Sequence, residues 1–225
     1  MPLYPLETKH KYFFDWFEDK RKKDGLYYSV RKQGGDRLSH GYIFLGNDDY
    51  VGVPLVAHRD WRSKIASIQF VYGARESLCS MDFASRNLAG LNLNDEDIDK
   101  SEVEFHQMMQ DFDKEIYKYV NSNGGRVLTR DEWNRLGPKG VKEPVFILEV
   151  PAWNTTSNNE YGCKLFFNET NLEKALDKFY AFWKEYGIPY WSDYFSDPTN
   201  TVKTINSSLK KINPTLAKCN WPQKV

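Results

Sequence analysis

Few residues in this chain stand at the spacings that catalysis or metal binding demands. Asp95-Glu96-Asp97-Ile98-Asp99 offers the alternating carboxylates of a calcium loop. Lys100, however, stands where the sharp turn of such a loop needs glycine, and His106 where a bidentate Glu should close it. The run reads better as the start of a helix, where negative charge suits the dipole. His10, His40, His58 and His106 show no H-x-H, H-E-x-x-H or Cys/His spacing, so no metal centre is expected. A nucleophile elbow, a P-loop and a dinucleotide fingerprint are all missing from the sequence. A metal-dependent nuclease would need carboxylates and a lysine converging on one ion. Glu149 stands at the end of a strand-like run, but Val150-Pro151 follows it and no lysine comes two residues on. The expectation is a protein that is not an enzyme and has no cofactor.

Two further segments carry information. Lys20-Arg21-Lys22-Lys23 is a compact basic tetrad. It reads either as a solvated helix C-terminus favoured by the dipole or as a nuclear-import or anion-contact signal. Val145 to Val150 is a strand cut off by Pro151, which cannot donate to a ladder. A polar loop rich in Asn, Thr and Ser follows, and the chain re-enters a strand at Tyr161 to Phe167.

These residues are positioned by elements legible from their periodicity. Residues 7 to 24 read as a helix ended by Gly25. Its Tyr12, Phe13, Phe14, Trp16 and Phe17 are too many rings for one core-facing stripe, which predicts a second surface and a role in self-assembly. Strands are predicted at 26–30, 41–45, 50–57 (interrupted by Pro54) and 66–72, as an antiparallel meander with one face buried. Residues 80 to 94 read as irregular. Phe105, Met108, Met109, Phe112, Ile116 and Val120 then mark one face of a helix that stops at Gly124-Gly125. Thr129 and Glu132 form a capping box for a short helix. A last helix is capped at Thr170-Asn171, carries Leu172, Ala175, Leu176, Phe179, Tyr180 and Trp183 on one face, and is expected to stop at Gly187 and Pro189. The whole reads as one α+β domain over residues 1–225, with 1–25 as the N-terminal helix and 201–225 as an extended polar tail.

Composition narrows the function. Lys plus Arg and Asp plus Glu balance at 31 each, which argues against a nucleic-acid partner. The chain carries 7 Trp, 14 Tyr and 14 Phe, and so much ring surface beside zero net charge favours either association or a ligand groove. Cys79, Cys163 and Cys219 are too few and too scattered for a disulfide scaffold or a zinc site, and their pairing is open. No signal-peptide pattern and no apolar run of transmembrane length occurs, so an intracellular protein without a membrane partner is expected.

One stretch resembles a known family. Pro151-Ala152-Trp153, then Ser157-Asn158-Asn159-Glu160-Tyr161, a short strand, and an aromatic helix running into Ile188-Pro189-Tyr190 resemble the polyhedrin and granulin proteins of insect-virus occlusion bodies. The tetrad Lys20-Arg21-Lys22-Lys23 is similar to a basic tetrad near the N-terminus of the baculovirus members. The likeness covers roughly 40 residues and leaves residues 34 to 140 unaligned. It implies an antiparallel β-sandwich decorated by helices, with a protruding N-terminal helix reaching onto neighbouring molecules. It further implies homotrimers that pack into intracellular crystals around virions and dissolve in alkali. Some cypovirus members hold nucleotides in the lattice, but no residues here match such a site. The tetrad points to assembly in the nucleus, the cypovirus-like layout to the cytoplasm. Two alternatives stand beside this reading. One is a binding module using an aromatic pocket, with Tyr27, Trp61 and Tyr72 as candidates for reading a modified nucleic acid. The other is an enzyme whose site is assembled from scattered residues.

Overall fold

The computed structural model describes residues 5–28, 44–47, 50–57, 67–73, 78–86, 100–137, 143–147, 160–169 and 171–192. Within them the chain is α+β. The elements are α1 (Pro5–Asp24), β1 (Leu45–Asn47), β2 (Tyr50–Ala57), β3 (Ser67–Gly73) and β4 (Leu78–Arg86). Then come α2 (Lys100–Ser122), β5 (Arg126–Leu128), α3 (Arg130–Leu136), β6 (Val145–Ile147) and β7 (Glu160–Phe166). The chain ends in α4 (Leu172–Phe182), a π-turn (Trp183–Gly187) and the single turn α5 (Ile188–Trp191).

The strands form one sheet of seven, ordered β1-β2-β3-β4-β7-β6-β5. The first four make the expected antiparallel meander, and only β5 and β6 pair in parallel. The sheet's register slips between Pro54 and Val56, so the proline falls at a bulge. β1 pairs only as far as Gly52, so the missing N–H of Pro54 deprives no strand of a partner there.

Alternation along the strands aims Val53, Phe70, Met81, Phe83 and Leu165 at a layer of helices. α2 meets them with Phe105, Met109, Phe112, Ile116 and Val120, spaced for one helical face. α4 adds Ala175, Leu176, Phe179 and Phe182, and Asn171 caps it by accepting from the Lys174 N–H. On the other face a small satellite core gathers Leu128, Val145, Ile147 and Phe166 under α3, with Trp133 stacked on Phe166 at 4.5 Å. The capping box at Thr129 and Glu132 forms in full.

The described strands form the meander within this one sheet, helices cover it, and no second sheet is found among the described residues. Several finer expectations are corrected. α1 does not protrude: Phe13, Phe14 and Phe17 are almost wholly buried, with Phe13 against Phe70 and Phe17 against Phe179. The region read as irregular contains β4, whose Cys79, Met81 and Phe83 alternate with Ser80 and Asp82. The final helix also runs past Gly187 by widening into the π-turn. Pro189 then sits in the first turn of α5, directly after the widened turn whose last bond runs from the Ile188 N–H to the Trp183 carbonyl. Of the strand predicted at 26–30, Leu26, Tyr27 and Tyr28 are described and form no strand, because the chain there turns back onto α1. The strand predicted at 41–45 lies largely outside the described residues, and the tail at 201–225 and the acidic run at 95–99 lie wholly outside them.

Candidate functional site

The most distinctive surface is the seam where α1 lies beside α4. Tyr12, Trp16 and Lys20 recur every four residues on α1, so they form one stripe. Across the seam Trp16 meets Tyr180 edge-on at 6.0 Å and Phe179 at 6.1 Å. Tyr12, Trp16 and Tyr180 are each half-buried, with the Tyr180 hydroxyl turned inside. Lys20 Nζ stands 4.8 Å over the Tyr180 ring and 5.6 Å over Trp16, and Lys184 Nζ also reaches Tyr180 at 5.9 Å. At the opposite end, burial followed by the charges of Glu173 and Asp177 raises the pKa of the Tyr12 phenol. Burial also pushes Tyr180 up to about 12, with Asp24 adding to the effect. The seam is thus aromatic in the middle, anionic at one end and mainly cationic at the other.

The basic tetrad is held by its own helix. Arg21 grips Glu18 with two hydrogen bonds, Nε to Oε1 at 2.7 Å and Nη2 to Oε2 at 2.9 Å. Lys22 Nζ lies 3.9 Å from the same carboxylate, and Lys23 pairs with Asp19 at 2.9 Å. Tyr28 donates to Glu18 Oε1 at 2.5 Å from a fully buried position, tying the chain after Gly25 back onto the helix. Gly25 makes that return possible: its φ of +71° is the left-handed cap conformation, and its N–H bonds the Arg21 carbonyl.

Other polar groups serve the fold. On the second sheet face Asp82 accepts from Lys164 at 2.6 Å and from Ser80 at 2.8 Å, beside its cross-strand neighbour Gln69. Within the core Cys163 donates to Asp113 at 3.6 Å. Burial and that carboxylate hold the Cys163 thiol well above its usual range, and burial alone pushes Cys79 up to about 12. Both are free thiols. Burial lowers the pKa of His106, which favours its neutral form. No group of three or more His, Cys, Asp or Glu among the described residues is placed to hold a metal ion. Nor is any described helix long and apolar enough to cross a membrane.

The sequence-predicted residues are distributed unevenly over this structure. Of the five aromatics assigned to self-assembly, Phe13, Phe14 and Phe17 belong to the chain's own core, because α1 is flanked by the sheet beneath and by α4 at its side. Tyr12 and Trp16 remain at the surface. Pro151, Trp153, Ser157, Asn158 and Asn159 lie outside the described residues. Glu160 and Tyr161 open β7, paired in register with Arg86 and Ser85. Tyr27, Trp61 and Tyr72 do not form a described pocket: Tyr72 packs against Phe13 at 5.7 Å, Tyr27 is half-buried, and Trp61 lies outside the described residues. The α4 half of the seam was missed in the sequence. Its signal is the spacing of Glu173, Asp177, Tyr180 and Lys184, which recurs on one helix face. Comparison with family models, curated proteins and solved structures found no match to the chain.

Proposed function

We propose that this chain is a structural protein that works by packing against copies of itself, as the matrix of an insect-virus occlusion body. The observation that carries the reading is the α1–α4 seam, where Tyr12, Trp16 and Tyr180 are only partly buried on a chain of zero net charge. Zero charge removes the self-repulsion that would keep copies apart, and aromatic rings are the side chains that interfaces favour. The resemblance around Pro151 to Tyr161 supplies the particular identity: an intracellular crystal around virions, built from homotrimers and dissolved by alkali.

Alkaline dissolution is consistent with the ionisable groups. With unshifted values, the 14 tyrosines, 21 lysines and three cysteines would give on the order of −20 charges near pH 10.5. Burial delays six tyrosines (12, 28, 119, 180, 186 and 190) and both described thiols. The expected charge then falls to roughly −15, still enough for copies to repel. The test is expression to high level in insect cells. Ordered insoluble particles that redissolve above about pH 10 are expected. A chain that stays a monodisperse monomer at high concentration overturns the reading.

A further inference from the structure

We infer that the α1–α4 seam is a self-complementary interface whose partner is the same seam on a second copy of this chain, the two related by a two-fold axis near Trp16. The inference rests on the self-assembly reading and names the contact that would carry it.

The reason is the order of groups along the seam. Glu173 and Asp177 stand at the Tyr12 end, and Lys20 and Lys184 stand over Tyr180 at the other. Glu173, Asp177 and Lys184 are exposed and Lys20 is half-exposed. Among the described residues, none of these four makes an ion pair within the chain. Their neighbours are engaged: Lys23 with Asp19, Arg21 with Glu18, and Lys178 with Glu169. Asp24, near Tyr180, tempers the cationic end without reversing it.

A surface that is negative at one end and positive at the other matches itself when turned by half a revolution. The two-fold operation sets Glu173 and Asp177 of one copy against Lys184 and Lys20 of the other, and does so twice. It also brings Trp16 of both copies to the centre. That layout, aromatic anchors inside and charges at the rim, is the usual anatomy of an isologous contact. Rim charges there select the partner and its orientation. Such a pair would be a second kind of contact beside the trimer that the resemblance implies, and a lattice needs more than one kind.

Charge reversal tests this directly, by analytical ultracentrifugation of the full chain in low salt. Glu173→Lys with Asp177→Lys makes the seam positive throughout, and Lys20→Glu with Lys184→Glu makes it negative throughout. Each double variant alone should associate on the order of tenfold more weakly than the parent, or less. An equimolar mixture of the two should associate again, and so should the variant carrying all four changes. None of the four side chains is in the core, so each variant should still unfold cooperatively on heating, which separates lost association from lost folding. Association that ignores both reversals, or a mixture that stays apart, overturns this interface while leaving self-assembly through another surface intact. A parent chain that never associates overturns both.

Discussion

The benzo ring of Trp183 lies against the backbone of Gly187, so close that a Cβ on the glycine would fall 2.0 Å from Cε3 and 2.4 Å from Cδ2. Gly187 has a φ of −76°, so the constraint is space and not backbone conformation. Trp183 is fully buried and cannot move aside without displacing Phe112. Gly187→Ala should therefore destabilise the fold by about 1–3 kcal/mol, as overpacking does. Gly25→Ala makes the contrasting case: open space surrounds that site but its φ is +71°, so a loss of about 1–2 kcal/mol should come from the left-handed conformation alone. Urea midpoints at constant slope measure both. An unchanged midpoint for Gly187→Ala would mean that the indole does not pack as described.

The contact between Tyr28 and Glu18 should dominate the polar chemistry of α1. Tyr28 is fully buried and Glu18 nearly so, which keeps water from replacing a lost partner. Tyr28→Phe removes a hydrogen bond to a charged acceptor and should cost about 1.5–3 kcal/mol in urea unfolding. Lys23→Ala removes an ion pair exposed on both sides and should leave the urea midpoint essentially unchanged. If the two variants proved equally mild, Tyr28 would not be anchoring the chain to the helix.

These two relationships mark where the sequence was legible and where it was not. Period-two and helical patterns reveal β2, β3, β7, α2 and α4, because one buried face imposes a spacing. Both helix stops at Gly25 and Gly124 follow from the same local chemistry. The stop expected at Gly187 does not occur: the helix widens there and Trp183 packs against that glycine, a tertiary contact with no local signature. The excess rings on α1 show the same limit. The sequence shows more aromatics than one stripe needs, but only the position of α4 decides that Phe17 faces inward while Trp16 faces the seam. The Cys79, Met81 and Phe83 alternation of β4 was present in the sequence, short and broken by polar residues.

Tyr119 should set part of the alkaline limit of the fold. Burial, helped by Tyr186, pushes its pKa up to about 12, against about 10 for an exposed phenol. Below pH 10 the group is protonated in both folded and unfolded chains and has no effect on the balance. Between pH 10 and 12 the unfolded chain releases the proton and the folded one retains it, so stability falls as pH rises. The slope from this one group approaches about 1.4 kcal/mol per pH unit. Tyr119→Phe should flatten the decline measured by urea unfolding between pH 9.5 and 11.5. An identical slope in the variant would show that Tyr119 ionises as freely in the folded chain as in the unfolded one.

The thiols give a test of core closure that is independent of assembly. The thiolate is the form that attacks an alkylating reagent, so a raised pKa and burial both suppress reaction. Cys79 has burial alone acting on it, whereas Cys163 has burial and the Asp113 carboxylate at 3.6 Å. Iodoacetamide at pH 8.5, followed by mass spectrometry, should leave both unmodified in the native chain and label both once urea unfolds it. Asp113→Asn removes the neighbouring charge but not the packing, so Cys163 should stay protected wherever that variant remains folded. Rapid labelling of Cys163 in folded Asp113→Asn would assign the protection to the carboxylate. Rapid labelling of Cys79 in the parent would show that the face of β4 carrying Cys79, Met81 and Phe83 is open to solvent.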